Sequence, residues 1–369
     1  MIKRWKLSKF QEFGKRLLQE RQGVWGALWI ALLYIAWIKA LELLSLSFVA
    51  FFVGSPAPQS WEISEIHNTL SAIQFPVLAL AAVLFTGLNR WLYPLTRTQA
   101  GEIFTFERFK SAYLPGVLQG GLIALSMIAV LTASQYYRYL GTLITYEDLG
   151  LILPGLAIKG FSLLLMTAGE EFVFRQKILQ KLRPVAARFR SPQDSSHSPS
   201  TLEVLLLSIS TSLLYLVTKS LQFDLGWMQS LTLFLLSIAL TQRTLDRKDY
   251  LMGAGYLGAL LLIFHPVFSL PIFGQETNGL LLLKLRAPEE MGLPTLDTTS
   301  LFETATPTFF QVMGQHLWRL LSGGISGPLS SIAFQFFLLF DILRTILRSR
   351  PGSTATGTSK KKKIAFLSR

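Results

Sequence analysis

Cysteine is absent from this 369-residue chain. Disulfides, thiolate metal sites and cysteine nucleophiles are therefore excluded. Charge is scarce too: Asp, Glu, Lys and Arg make up 15% of the residues, against about 25% in a soluble globular protein. Histidine occurs only as His67, His197, His265 and His316, which is thin material for a metal centre needing about three converging ligands. No basic stripe interleaved with aromatics marks a nucleic-acid surface, so nucleic acid is set aside as a partner. Internal repeats are also missing.

Apolar sequence is what the chain has in quantity. Half of the residues are hydrophobic, gathered into stretches near the ~20 residues that a spanning helix needs. The expected fold class is an all-α, polytopic membrane helix bundle. Its helices are placed near 25–53, 69–93, 113–134, 149–179, 202–222, 225–242, 250–272 and 326–347. The basic start is followed by an apolar segment too long for a signal-peptide core, and is read as leading into a retained first helix.

Net charge is +13, and the excess is local. Seven Lys or Arg fall among the first 22 residues. The connections 94–112, 180–201 and 243–249 and the stretch after Arg344 also carry several each. Connection 54–68 has none, and 135–148 has only Arg138. This alternation, with about eight spans, places both termini in the cytoplasm. It suits a bacterial inner membrane.

The organisation is then a basic cytoplasmic arm over 1–24, a membrane bundle over 25–348 and a basic tail over 349–369. The tail, with Lys360 to Lys363, is expected to be disordered and drawn to anionic lipid. The turn-rich stretch 191–200 reads as a mobile connector. Residues 273–325 form an outward-facing segment, read either as a lid over the bundle or as a loosely ordered loop.

The apolar run Leu149–Met166 leads into Gly169-Glu170-Glu171-Phe172-Val173-Phe174-Arg175. Charge at membrane depth is expensive, so such a cluster is a functional-site hypothesis. Glu171 and Arg175 are four apart and share a helix face, where they can pair. Glu170 points about 100° away, beside apolar surface, where a carboxylate is suited to general-base work. The plainer reading is that these residues mark the cytoplasmic end of a helix and snorkel. Lys39 and Glu42, three apart in the first helix, are expected to neutralise one another.

The Glu-Glu-x-x-x-Arg run, with Phe174 before the Arg, resembles the first motif of the CPBP family, the CaaX prenyl endopeptidases and bacteriocin-processing or immunity proteins also called the ABI family. The likeness spans roughly 110–275. It continues through an apolar helix at Leu205–Lys219, a short turn at Thr241-Gln242-Arg243-Thr244, a Gly-rich helix at Met252-Gly253-Ala254-Gly255-Tyr256, and an apolar exit at Leu270–Gly274. The resemblance implies an all-α membrane bundle with an interior cavity and proteolysis within or near the membrane. A Glu of the first motif would activate water, and histidines of the second and third motifs would assist. A divalent metal such as zinc would be needed only if that chemistry is retained; otherwise no cofactor is expected.

The chain departs from the pattern at both later motifs. Tyr215 stands where the second motif has Phe, and Lys219 where it has His. Leu257 and Leu261 stand at the His and Asn/Asp positions of the third. Another register would use His265 with Ser269, but leaves little chain before Gly274. His265 is the one histidine at membrane depth, and a lone His beside Pro is more often a packing residue than a ligand. Lys219 would repel a divalent cation and could instead pair with Glu170 across the cavity. Glu170, Glu171, Arg175 and His265 are therefore the catalytic candidates, and Tyr215, Lys219 and Leu257 the cavity candidates.

Two function classes follow. The favoured one is a catalytically degenerate CPBP-like membrane protein that binds a peptide, a partner helix or a lipid in that cavity. The alternative is an active intramembrane endopeptidase with Glu170 as base. A relay transporter through Lys39, Glu42, Lys159, Glu170 and Lys219 lacks the paired broken helices that would support it.

Overall fold

The computed structural model of the chain describes residues 23–52, 63–92, 105–142, 149–189, 201–247, 249–272, 279–287, 290, 317–323 and 327–348. The arm 1–22, the connector 190–200, most of 273–325 and the tail lie outside them, as do His197 and His316.

The chain is mostly helical. Helix α1 is Val24–Phe52, α2 is Ile63–Leu92 and α3 is Leu114–Ala133. Next come α4, Leu149–Glu171, and α5, Leu179–Ala186, joined by a π-helical turn. Then follow α6, Thr201–Ser220, α7, Trp227–Arg247, α8, Leu251–Leu262, and α9, Ile332–Arg348. Among the described residues, helix overlaps each of the eight expected segments. Among the described residues, three helices are long and apolar enough to cross a membrane: Val24–Ser45, Phe106–Ala133 and Leu202–Ser220.

Two expectations are corrected. The Thr241–Thr244 turn does not exist: all four residues are buried within α7. The fold is also not purely α. Strand β1, Tyr137–Thr142, pairs antiparallel with β2, Leu281–Leu285, from Tyr137 opposite Leu285 to Thr142 opposite Leu281. Non-glycine residues in the left-handed region stand beside this pair: Gln135 at φ 63° and Ser269 at φ 55°. Ser269 holds its turn by donating from Oγ to the Leu281 carbonyl at 3.0 Å and accepting from the Gly279 amide at 2.6 Å. Trp318 donates to the Arg286 carbonyl and Tyr137 to that of Ser322, which tethers residues 317–322 to the strands. The described part of 273–325 is therefore folded onto the 135–142 connection.

Packing is tightest where α3 crosses α8. A Cβ on Gly116 or Gly120 would strike the backbone of Met252 or Tyr256, and one on Gly255 would strike that of Tyr113. Small residues let backbones approach this closely, as in membrane helix pairs. Outward faces are apolar: Leu118 and Leu122 of α3, Leu213 and Val217 of α6, and Phe336 and Phe340 of α9 are all more than half exposed. Charge and apolar surface are thus inverted relative to a soluble domain, with Glu170, Glu171, Arg175 and Lys219 each at most 1% exposed.

Candidate functional site

The motif straddles a change of helix type. Glu170 and Glu171 end α4, and Phe172–Ile178 form the π turn. Such turns recur at functional sites, since widening the helix re-aims the side chains around it. Gly169 lets α4 lie against α2, because a Cβ there would meet Ala82. These two features seat both glutamates inside the bundle, so neither snorkels to a helix end.

Glu171 and Arg175 form the expected pair, with Arg175 Nη1 3.1 Å from Glu171 Oε1 and both side chains wholly buried. Arg175 Nη2 also donates to Ser237 Oγ of α7 at 2.8 Å. The second Glu171 oxygen lies against Gly253 of α8, where any Cβ would collide with it. The Gly-rich stretch Met252–Tyr256 thus supplies room for this carboxylate.

Glu170 has different company. Lys219 Nζ of α6 donates to its Oε1 at 2.5 Å, and the Tyr215 hydroxyl donates to its Oε2 at 3.4 Å. Lys219 also donates to Gln222 Oε1 at 3.3 Å, and its ammonium lies 5.7 Å from the Tyr215 ring centre and 5.3 Å from that of Phe223. Tyr215 joins the two pairs, since Arg175 Cζ sits 4.5 Å over its ring. Two carboxylates and two cations so form one buried cluster of zero formal charge.

His265 lies in the π turn Ile263–Val267 after α8, 1% exposed. Its Nδ1 is 3.3 Å from the Leu270 carbonyl oxygen. Its ring meets that of Phe75 edge-on at 5.2 Å, and Phe75 in turn lies 6.4 Å from Phe223. Two aromatic rings therefore lead from His265 to the Lys219 ammonium. Leu257 is fully buried in the α8 core. Among the described residues no three His, Cys, Asp or Glu side chains converge on one point. The donor set at Glu170 does not fit a divalent cation, because an ammonium already holds the carboxylate.

Residues not singled out from sequence complete the centre. Tyr34 of α1 packs edge-on against Phe174, whose other neighbour is Tyr215. Ser237 and Gln222 are the others, and the buried hydroxyls Ser208, Thr211 and Ser212 lie further along α6. The α6 hydroxyls carried a legible signal, polar residues recurring at helical spacing in an apolar run. Tyr34 and Ser237 carried none, since each is a single residue brought in by helix packing.

The Lys39–Glu42 pair is present at 2.7 Å on the outer part of α1. No family model matches the chain, and no curated protein or solved structure is significantly similar to it.

Proposed function

We propose that the chain is a multi-pass membrane protein, of the bacterial inner-membrane type, built on a CPBP-like scaffold whose centre binds rather than cleaves. Its ligand is a membrane-embedded peptide, a partner helix or a lipid. The observation that carries this reading is the occupation of Glu170. A general base needs a lone pair turned to water, and here Lys219 and Tyr215 take one oxygen each. An ion pair of this kind ties the carboxylate down and occupies the oxygen that would take a proton from water, which opposes proton abstraction. Neither His265 nor a second carboxylate shares those oxygens in the way that assisted water activation requires.

The lysine does more than fill a histidine position. A buried glutamate without a partner is strongly destabilising, and the ammonium removes that penalty. The scaffold can then keep its Glu-Glu-x-x-x-Arg run for folding alone.

The test uses the full chain in lipid nanodiscs with a quenched prenylated peptide, a photoactivatable analogue of the same peptide, and a photoactivatable phospholipid. The expected result is crosslinking by one of the photoprobes and no cleavage. Cleavage that disappears in E170Q while the variant stays folded would establish the endopeptidase instead.

A further inference from the structure

Helix α6 has two unlike faces. Leu202, Leu205, Leu213 and Val217 are exposed, whereas Ser208, Thr211, Ser212, Tyr215 and Lys219 are each at most 1% exposed. Steps of three and four residues keep the second set on one side of the helix. At 1.5 Å per residue the row from Ser208 to Lys219 is about 16 Å long. It ends on Glu170, through Tyr215 and Lys219.

The hydroxyls of this row differ from the buried threonine hydroxyls that bond back to their own helix. Thr218 donates to the Leu214 carbonyl, Thr241 to that of Ser237 and Thr244 to that of Leu240, each four residues back. Among the described residues Ser208 Oγ, Thr211 Oγ1 and Ser212 Oγ have no hydrogen-bond partner, although all three residues are 0% exposed. A second helix supplies an independent case. The Tyr34 hydroxyl of α1 is equally buried and, among the described residues, equally without a hydrogen-bond partner, and its ring packs edge-on against Phe174, as that of Tyr215 does. Buried polar groups in native proteins are almost always satisfied, and ordered water is the usual partner when protein is not.

The ligand class follows from the charges. Glu170 and Glu171 balance Lys219 and Arg175, so an ion entering the row would find no net countercharge. A small neutral molecule that both donates and accepts hydrogen bonds suits a line of hydroxyls. We infer that the Ser208–Thr211–Ser212 row, with Tyr34, is a hydration track: a file of bound water that leads from the Thr201 end of α6 to the Glu170–Lys219 pair. Through it solvent protons reach a charge pair sealed from bulk water. The inference stands on hydroxyl geometry and does not depend on which partner the scaffold binds.

Radiolytic hydroxyl labelling of the full chain in nanodiscs, read by mass spectrometry, tests it, because radicals formed from bound water mark the nearest aromatic rings. Tyr34 and Tyr215 are expected to label several-fold faster than Tyr137, which is also buried but whose hydroxyl is bonded to the Ser322 carbonyl, and faster than the fully buried Phe264. The triple variant S208A/T211V/S212A should bring Tyr34 and Tyr215 down to the Tyr137 rate and leave Tyr137 unchanged. Wild-type labelling of Tyr34 and Tyr215 no faster than that of Tyr137 would overturn the track. So would a triple variant of unchanged labelling and raised thermal midpoint, since apolar replacements relieve hydroxyls that are buried dry. If the triple variant fails to fold, T211V alone and the wild-type comparison still decide. A chain that ignores both photoprobes yet labels at Tyr34 and Tyr215 separates failure of the binding reading from failure of the track.

Discussion

Where connections meet the helices, Arg108 grips Asp249 through two hydrogen bonds of 2.7 and 2.9 Å, and both side chains remain partly open to their surroundings at 20% and 16%. At the centre, Arg175 and Glu171 sit at 0% exposure, and both Glu171 oxygens lack a well-aligned hydrogen bond. The peripheral pair is better made and less needed. The central pair is poorly made and hard to remove. A partly solvated ion pair can lose one partner and let water replace it, so its net value is small. A sealed pair has no such substitute, and losing one member strands the other in a low-dielectric interior. Sealed pairs are also expensive relative to well-packed apolar residues, so their presence is better explained by a role or by specification of one helix register than by stability.

The sharpest way to break this comparison is R175A. It leaves Glu171 buried without a cation and removes the donor to Ser237; a loss of about 3–5 kcal/mol is expected, seen as a collapse in folded yield from detergent extracts. An unchanged yield would refute the structural role of the pair. K219M comes next. It strands Glu170, but Tyr215 still donates to that carboxylate, so the loss should fall near the lower end, about 3 kcal/mol. Thermal unfolding of the E170Q/K219M double variant should recover most of that loss, and absence of any coupling between the two sites would show that they do not interact.

A smaller effect is expected from R108A, about 1 kcal/mol or less because of its partial exposure. The smallest is expected from K39A, where the partner Glu42 lies three residues away on an outer helix face. Such pairs contribute about 0.2–0.5 kcal/mol, and a shift in thermal midpoint as large as that of R175A would contradict the difference between sealed and open pairs.

Within one helix the sequence was a reliable guide. Glu171 with Arg175 and Lys39 with Glu42 follow from the 3.6-residue period, which fixes neighbours without reference to any other part of the chain. The position of each helix followed from runs of apolar residues and their breaks. The same period was present in Ser208, Thr211, Ser212 and Tyr215, but a helix apolar enough to cross a membrane conceals a polar face unless the two faces are read separately. The β1–β2 pairing was not legible. Its strands are short, lie about 140 residues apart in sequence, and are marked by no hairpin turn. The π turns at Phe172–Ile178 and Ile263–Val267 likewise leave no local signature, since their extra residue per turn is accommodated by packing.

Sequence alone determined that charges fall within or beside long apolar helices and that those three or four residues apart can pair, because helix pitch fixes such neighbours; whether Glu170 and Glu171 are buried or snorkel it left open. It also narrowed the partners of Glu170 to a lysine and a histidine on different helices. Tertiary structure decided between them: the way α6 lies against the α4 motif puts Lys219 on Glu170, while Phe75 and Phe223 stand between that pair and His265. The reason is geometric. Neighbours along one helix are set by its pitch, but neighbours across helices are set by crossing angle and by small residues such as Gly169 and Gly253, whose effect exists only once the helices have met.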